Sequence, residues 1–369
     1  MNPIRILSPD LTILGEIDDY ESLSFTRRWH RPGEFEIHIN RHKRNVDTLQ
    51  KGNLVIIGRD TKKAGIIRHR EITLDEGGKQ TEVWKIVGQT LGALTADRIV
   101  IPLTGQSHFS VTDSSAETVM KLLVDSQLAN PEDPAREIVD LYIKDYLGRG
   151  PTMTWQSRYA GLDEELANVS QSTGIGWGIE LNLSTKALYF EIYQGRDLTT
   201  SQSVNPPVIF SPEFDSLKTQ HYVDSDVNYR NVAIVAGQGE GELRTVVQVG
   251  TATGMERKEV FVDARDLPDT ASLEERGTLK LNEMQVDRLL EGQILTSGPF
   301  KYSIDYDLGD IVTIRNKDWG VTMDARITEI KEIYEPSGFA LEATFGNSFP
   351  TLISKIKQEL GQMSGEIRR

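Results

Sequence analysis

Apolar and polar residues alternate along much of this chain with a period of two, the spacing of a strand that buries one face and wets the other. Glu34-Phe35-Glu36-Ile37-His38-Ile39 is the clearest run, with Phe35, Ile37 and Ile39 on one side. Arg31-Pro32-Gly33 before it reads as a turn, because proline presets φ and glycine accepts a positive φ. Two longer stretches share one plan. Gly309-Asp310-Ile311-Val312-Thr313-Ile314 leads through a polar loop to Ala325-Arg326-Ile327-Thr328, then past Gly338 to Leu341-Glu342-Ala343-Thr344-Phe345-Gly346. Near the N-terminus, Gly52-Asn53-Leu54-Val55-Ile56-Ile57 leads to Ala64-Gly65-Ile66-Ile67, then past Gly78 to Val83-Trp84-Lys85-Ile86-Val87-Gly88. Both predict strand, loop, strand, turn, strand. They are read as an internal duplication giving two similar β-barrels, with two unrelated sheets as the alternative.

Between these stretches the period changes. Ser114-Ser115-Ala116-Glu117 has capping-box spacing, with Ser114 as the cap and Glu117 reaching back. Val119, Met120, Leu122, Leu123 and Leu128 give a helical apolar face that Asn130-Pro131 ends. A second helix is predicted from Leu162 to Gln171, stopped by Ser172-Thr173-Gly174, and then a hairpin of Trp177–Leu181 with Ala187–Ile192. After a linker at 203–207, strands are predicted at Val208–Phe210, Asn231–Ala236 and Leu243–Val249, and a helix at Leu279–Leu290. Ile353, Ile356, Leu360, Met363 and Ile367 then recur at coiled-coil a/d spacing. Two heptads are marginal alone, so this helix is expected to pair with other copies or to dock on its own domain.

The expected architecture is mainly β with α+β insertions. A first β-barrel domain spans 1–105, an α+β domain of helices plus hairpin 106–205, and a second β-barrel domain 206–350, with an inserted segment near 240–300. A C-terminal amphipathic helix fills 351–369. A length of 369 residues gives each domain enough chain for its own core.

Composition narrows the function. The chain has no cysteine, so thiolate chemistry and disulfides are excluded. No apolar run approaches the ~20 residues of a membrane span, and the N-terminus lacks a signal-like apolar region. No membrane insertion and synthesis in the cytoplasm are expected. The net charge of −14 is uneven, because residues 1–100 carry 16 Lys/Arg against 14 Asp/Glu. Most of the molecule would therefore repel nucleic acid, and Arg41, Lys43 and Arg44 read as a solvated loop.

Candidate chemistry does not assemble. Gly237, Gly239, Glu240 and Gly241 lie in a glycine-rich run after a strand, but Glu242 stands where a dinucleotide fingerprint needs glycine, and no helix follows to meet phosphate. The run reads as a hairpin loop that faces a partner or a lumen, or is simply a hairpin tip. His38 and His42 have helical i, i+4 spacing, yet His38 lies in a strand, so zinc is not expected. Asp305, Asp307 and Asp310 lack the glycine and terminal glutamate of a calcium loop. Asp163-Glu164-Glu165 and Glu274-Glu275 are the best carboxylate pairs for a hydrolase, and Trp155, Trp177 and Trp319 the best aromatic faces for a glycan. No nucleophile elbow, His-Glu-x-x-His pair or Cys/His dyad is present. No catalytic residue, metal or cofactor is expected.

Several segments together resemble siphovirus tail-tip structural proteins, a group related to the hub part of tail-associated lysins and to baseplate hubs of contractile phages. They are Ile175 to Leu181, Tyr193 to Asp197, Phe210 to Asp215, Asn231 to Gly241, Val262 to Asp266, and Tyr306 to Asp310. The resemblance implies a non-enzymatic virion tail protein: a homotrimeric hub whose two barrels per copy form a pseudo-sixfold ring. The tail tube or a distal tail protein would lie on one side and a tip, fibre or lysin on the other, with DNA passing through. Ile353, Ile356, Leu360, Met363 and Ile367 are then the expected trimer contacts. A tail-associated cell-wall hydrolase or a host-glycan-binding module is the alternative.

Overall fold

The alternating run becomes a strand at Glu34–Asn40, with Phe35, Ile37 and Ile39 buried. The computed structural model describes residues 2–73, 82–265, 267 and 270–346, so the heptad positions Ile353, Ile356, Leu360, Met363 and Ile367 lie outside the described residues. The fold is mainly β, with 42% strand against 18% helix.

In chain order, the first unit comprises β1 (Ile4–Leu7), β2 (Ile13–Ile17), β3 (Ser22–Arg28), β4 (Glu34–Asn40), β5 (Leu54–Ile57), β6 (Ala64–Glu71) and β7 (Val83–Thr90). The middle part holds β8 (Phe109–Ser115), α1 (Ala116–Val124), β9 (Leu141–Ile143), β10 (Thr152–Ser157), α2 (Leu162–Thr173), β11 (Gly176–Asn182) and β12 (Ala187–Tyr193). The last part runs through β13 (Asp197–Leu198), β14 (Ile209–Phe210), β15 (Leu217–Ser225), β16 (Val232–Ala236), β17 (Val246–Val249) and β18 (Glu259–Asp263). It continues with α3 (Thr270–Glu283), β19 (Asp287–Ile294), β20 (Ile311–Asn316), β21 (Val321–Glu335) and β22 (Gly338–Gly346).

The two β units repeat one strand order. In the first, neighbours run β3, β4, β7, β6, β5, β1; in the second, β15, β19, β22, β21, β20, β14. Every step is antiparallel except the last of the second unit, where β14 meets β20 in parallel. The repeat thus reaches well beyond the three strands whose residues suggest it. Each unit has its own core, around Phe25 and Phe35 in the first and around Phe210, Tyr306 and Phe345 in the second.

Barrel closure and separation are where the picture differs from two independent cylinders. Strand β21 pairs with β3, Tyr334 opposite Leu23, so both units belong to one fourteen-stranded sheet. No pairing that closes either unit occurs among the described residues. Between β15 and β19, the second unit carries an inserted sheet, β17-β16-β18, backed by α3. In the middle part, α1 and α2 pack on the β11-β12-β9 sheet through a core that includes Val119, Leu123, Leu166 and Phe190.

Three local expectations change. The cap of α1 is Ser115, whose hydroxyl accepts from Thr118 N; Ser114 is the neighbouring strand residue and donates to Thr112 O at 3.0 Å. Glu117 is drawn inward to cations instead of reaching back. The stretch expected as a helix at Leu279–Leu290 splits: α3 ends at Glu283, and Leu290 is buried on β19 because that strand is needed between β15 and β22. Strand β17 begins at Val246, after a 3₁₀ turn at Gly241–Leu243.

Candidate functional site

Strand β3 ends by delivering Trp29 to the place where all three parts meet. The indole is 3% exposed, and its Nε1 donates to Gly174 O of the middle part at 3.0 Å. Its backbone N–H donates to Thr328 O of the second unit at 2.9 Å. The Arg326 guanidinium lies 5.3 Å from the ring centroid, a cation over an aromatic face. Two glycines make room for the ring. A Cβ at Gly176 would sit 2.5 Å from it, and one at Gly309 only 1.9 Å away. Gly195 lies beside them, where a Cβ would come within 2.0 Å of Gly309 O.

Behind Trp29, His30 is held by the same junction. Ser170 donates to Ile175 O at 2.5 Å, so the ring nitrogen Nδ1, 2.7 Å from that hydroxyl, is the donor of a neutral imidazole. Burial, with the charges of Arg326 and Arg31, takes its pKa down to about 3.

Buried ion pairs close the other contacts. Lys63, from the loop before β6, meets Glu332 of β21 at 2.8 Å, and Glu332 is 1% exposed. Glu332 also accepts from Tyr302 at 2.6 Å and from Tyr334. Arg27 reaches Asp307 at 2.6 Å. In the middle part, Glu117 and Lys121 are both fully buried and 2.7 Å apart. Burial alone would raise the Glu117 carboxyl, but hydrogen bonds from Arg149 and Lys121 outweigh it and hold the group well below the usual range. Arg149 passes the chain on to Glu191 at 2.6 Å, and Lys144 joins Glu180 at 2.9 Å.

A cavity of about 510 Å³ opens against this junction. Its wall takes Arg27 to Trp29 and Arg31 to Gly33 from the first unit, Trp177 to Glu180 and Glu191 to Gly195 from the middle part, and Asp307 and Leu308 from the second unit.

The residues singled out in sequence fall in different places. Gly237, Gly239, Glu240 and Gly241 form the hairpin between β16 and β17. A Cβ at Gly237 would lie 2.8 Å from Leu273, Gly239 has φ 103°, and Glu240 is exposed. Arg244 ties the base of the loop, donating to Gly237 O and Ala236 O at 2.9 Å each.

The acidic and aromatic candidates are largely committed to the protein's own groups. Asp305 accepts from Lys301 N, Asp307 from Arg27, and Asp310 from Arg196. Glu165 accepts from Trp155 Nε1 at 2.7 Å, and burial pushes its carboxyl up to about 7. Glu164 is exposed, and Glu275 accepts from Thr154 N at 3.3 Å. Trp155 and Trp177 are buried, while Trp319 is half exposed.

Sequence reading missed Trp29, although the glycines around it lie in segments that carry the tail-protein resemblance. Ile175 to Leu181, Tyr193 to Asp197 and Tyr306 to Asp310 all converge on the indole and the cavity. Those segments share a packing task.

The fold is one that phage tail proteins adopt. It matches the 43 kDa tail protein of prophage MuSo2 from Shewanella oneidensis at a TM-score of 0.61, with 12% identity, covering 93% of this chain and 98% of that one. A tail protein from Neisseria meningitidis matches at 0.56, with 13% identity, 94% and 97% covered. The prophage tail protein gp18 from Listeria monocytogenes also matches at 0.56, with 13% identity and 98% of each chain covered. The family described as Siphovirus ReqiPepy6 Gp37-like protein matches residues 3–347, and the chain belongs to that family. No curated protein matches the sequence.

Proposed function

We propose that the protein is a non-enzymatic hub of a phage tail tip, working through interfaces in the virion after synthesis in the host cytoplasm. The repeated strand order carries this reading. If each unit curls into a barrel-like lobe, three copies present six similar lobes, and a sixfold tail tube can rest on a threefold tip. Contacts between copies would be head-to-tail and close into a ring. The tube or a distal tail protein binds one face; a tip, fibre or lysin chain binds the other. DNA crosses the centre without specific binding, since an acidic molecule offers phosphate few cations. Ile353, Ile356, Leu360, Met363 and Ile367 supply a threefold contact, and the loop Gly237, Gly239, Glu240 and Gly241 faces the lumen or a partner. No helix among the described residues is long and apolar enough to cross a membrane.

Light scattering of the purified chain over a range of concentrations, with negative-stain images of the same samples, tests this. A trimer mass with six-lobed rings, lost on Ile356→Lys with Leu360→Lys, is expected. A single-chain mass throughout, with no ring in the images, would overturn it.

A further inference from the structure

We propose that the cavity beside Trp29 binds an acidic peptide segment through one carboxylate. Its lining is cationic in a chain whose net charge is −14. Six cations and three carboxylates, Glu180, Glu191 and Asp307, line it; Arg27, Arg28, Lys144 and Arg149 are ion-paired, Arg28 to Glu34 and Glu329, which leaves Arg31 and Lys62. All three carboxylates are already engaged: Glu180 by Lys144, Glu191 by Arg149 and Asp307 by Arg27. Arg31 and Lys62 are exposed, and neither has a carboxylate within ion-pair distance among the described residues. Deeper in, Arg27 is 8% exposed, and its Nε is a buried donor without an acceptor. An unmet buried donor is costly, and this one belongs to a residue of the cavity wall.

The rest of the lining fits a peptide. Trp29, Trp177 and Tyr193 stand in the wall beside the cations, with Lys62 Nζ 5.2 Å from the Tyr193 ring centroid. A volume of about 510 Å³ lies within the range of ligand pockets and takes a few residues. Arginine forks match a carboxylate in two parallel hydrogen bonds. A phosphate dianion meets the same cations, but the three carboxylates on the wall penalise two charges more than one. A long polyanion is disfavoured by the chain's net charge of −14.

The occupant bridges all three parts at their junction, so binding tightens the placement of the two units. The cavity belongs to a single chain, and its failure as a binding site leaves the tail-hub reading standing.

Tryptophan fluorescence reports directly, because Trp29 and Trp177 line the cavity. The probes are acetyl-Gly-Glu-Gly-Glu-amide, the same peptide with Gln for Glu, and inorganic phosphate. A saturable change with the acidic peptide is expected, and none with the Gln peptide or with phosphate at equal concentration. Arg31→Ala with Lys62→Ala, both at exposed positions, should weaken binding at least about tenfold, the factor that one charge-assisted hydrogen bond carries, with the thermal melt unchanged. Lys218→Ala, an exposed lysine away from the cavity, controls for net charge. Equal response to the Glu and Gln peptides, a response to phosphate alone, or a double variant that binds like the parent would each overturn the proposal.

Discussion

A methyl group at residue 309 would sit 1.9 Å from the Trp29 ring, and the backbone there has φ 91°. Gly309→Ala therefore meets two penalties, a clash and a left-handed backbone, and should cost about 2–4 kcal/mol. Gly148, with φ 70° and nothing within 4 Å, separates them. Gly148→Ala should cost only about 1 kcal/mol, and urea unfolding of both variants checks the difference. His30 sets a pH dependence. Its folded pKa is depressed from 6.5 to about 3, so the unfolded chain takes up a proton first as pH falls. Its contribution is intact above pH 6.5 and is lost progressively toward about pH 3, by about 2 kcal/mol at pH 5. His30→Gln should flatten that part of the slope between pH 7.5 and pH 5 in urea titrations. Neither residue announces itself in sequence. The partners of Trp29 lie at 174, 309 and 326, and nothing local marks so remote a contact. Glu117 and Lys121 are equally opaque, since i, i+4 pairs are ordinarily exposed, and burial is made tolerable by Arg149 and by the carbonyls of Lys144 and Asp145, all distant in sequence.

At the scale of elements, the local signals read well. Alternation at Glu34–Asn40, the hairpin of β11 and β12, and the meanders β5-β6-β7 and β20-β21-β22 follow from side-chain period and turn residues. The rest of the repeat was hidden because residues 226–286 separate β15 from β19, where β3 and β4 are joined by a short turn. Those two strands still pair along their length, with Ser225 opposite position 287. Replacing 226–286 by Asn-Gly should therefore leave a folded protein with one unfolding transition. Contacts of α3 with α2, including Leu279 against the middle core, would be lost. The melting temperature should fall by roughly 5–10 °C; circular dichroism and calorimetry check it, and an unfolded product would show that the insert is integral. The split of the expected helix near 279–290 has the same root: leucines of α3 and β19 follow one another at spacings a helix also allows, and only the sheet decides.

For the whole molecule, the six quoted segments carried the tail-protein resemblance and the pattern predicted a mainly β fold, whereas the joining of the two units was not legible. Glu332 of β21 shares a buried face with Ile330 and Tyr334, two residues to either side, and is tolerated there because Lys63 arrives from the other unit. That strand is fifteen residues long and serves both units, pairing with β20 and β22 in one and with β3 in the other. Two bodies tethered by a loose linker swing independently, but two bodies that share a strand cannot turn without shearing its ladder. A push on β15 at one edge is carried through the nine strands between to β2 at the other. Built so, the chain would act as a stiff lever: a twist applied at one end would arrive at the far end as movement of the whole.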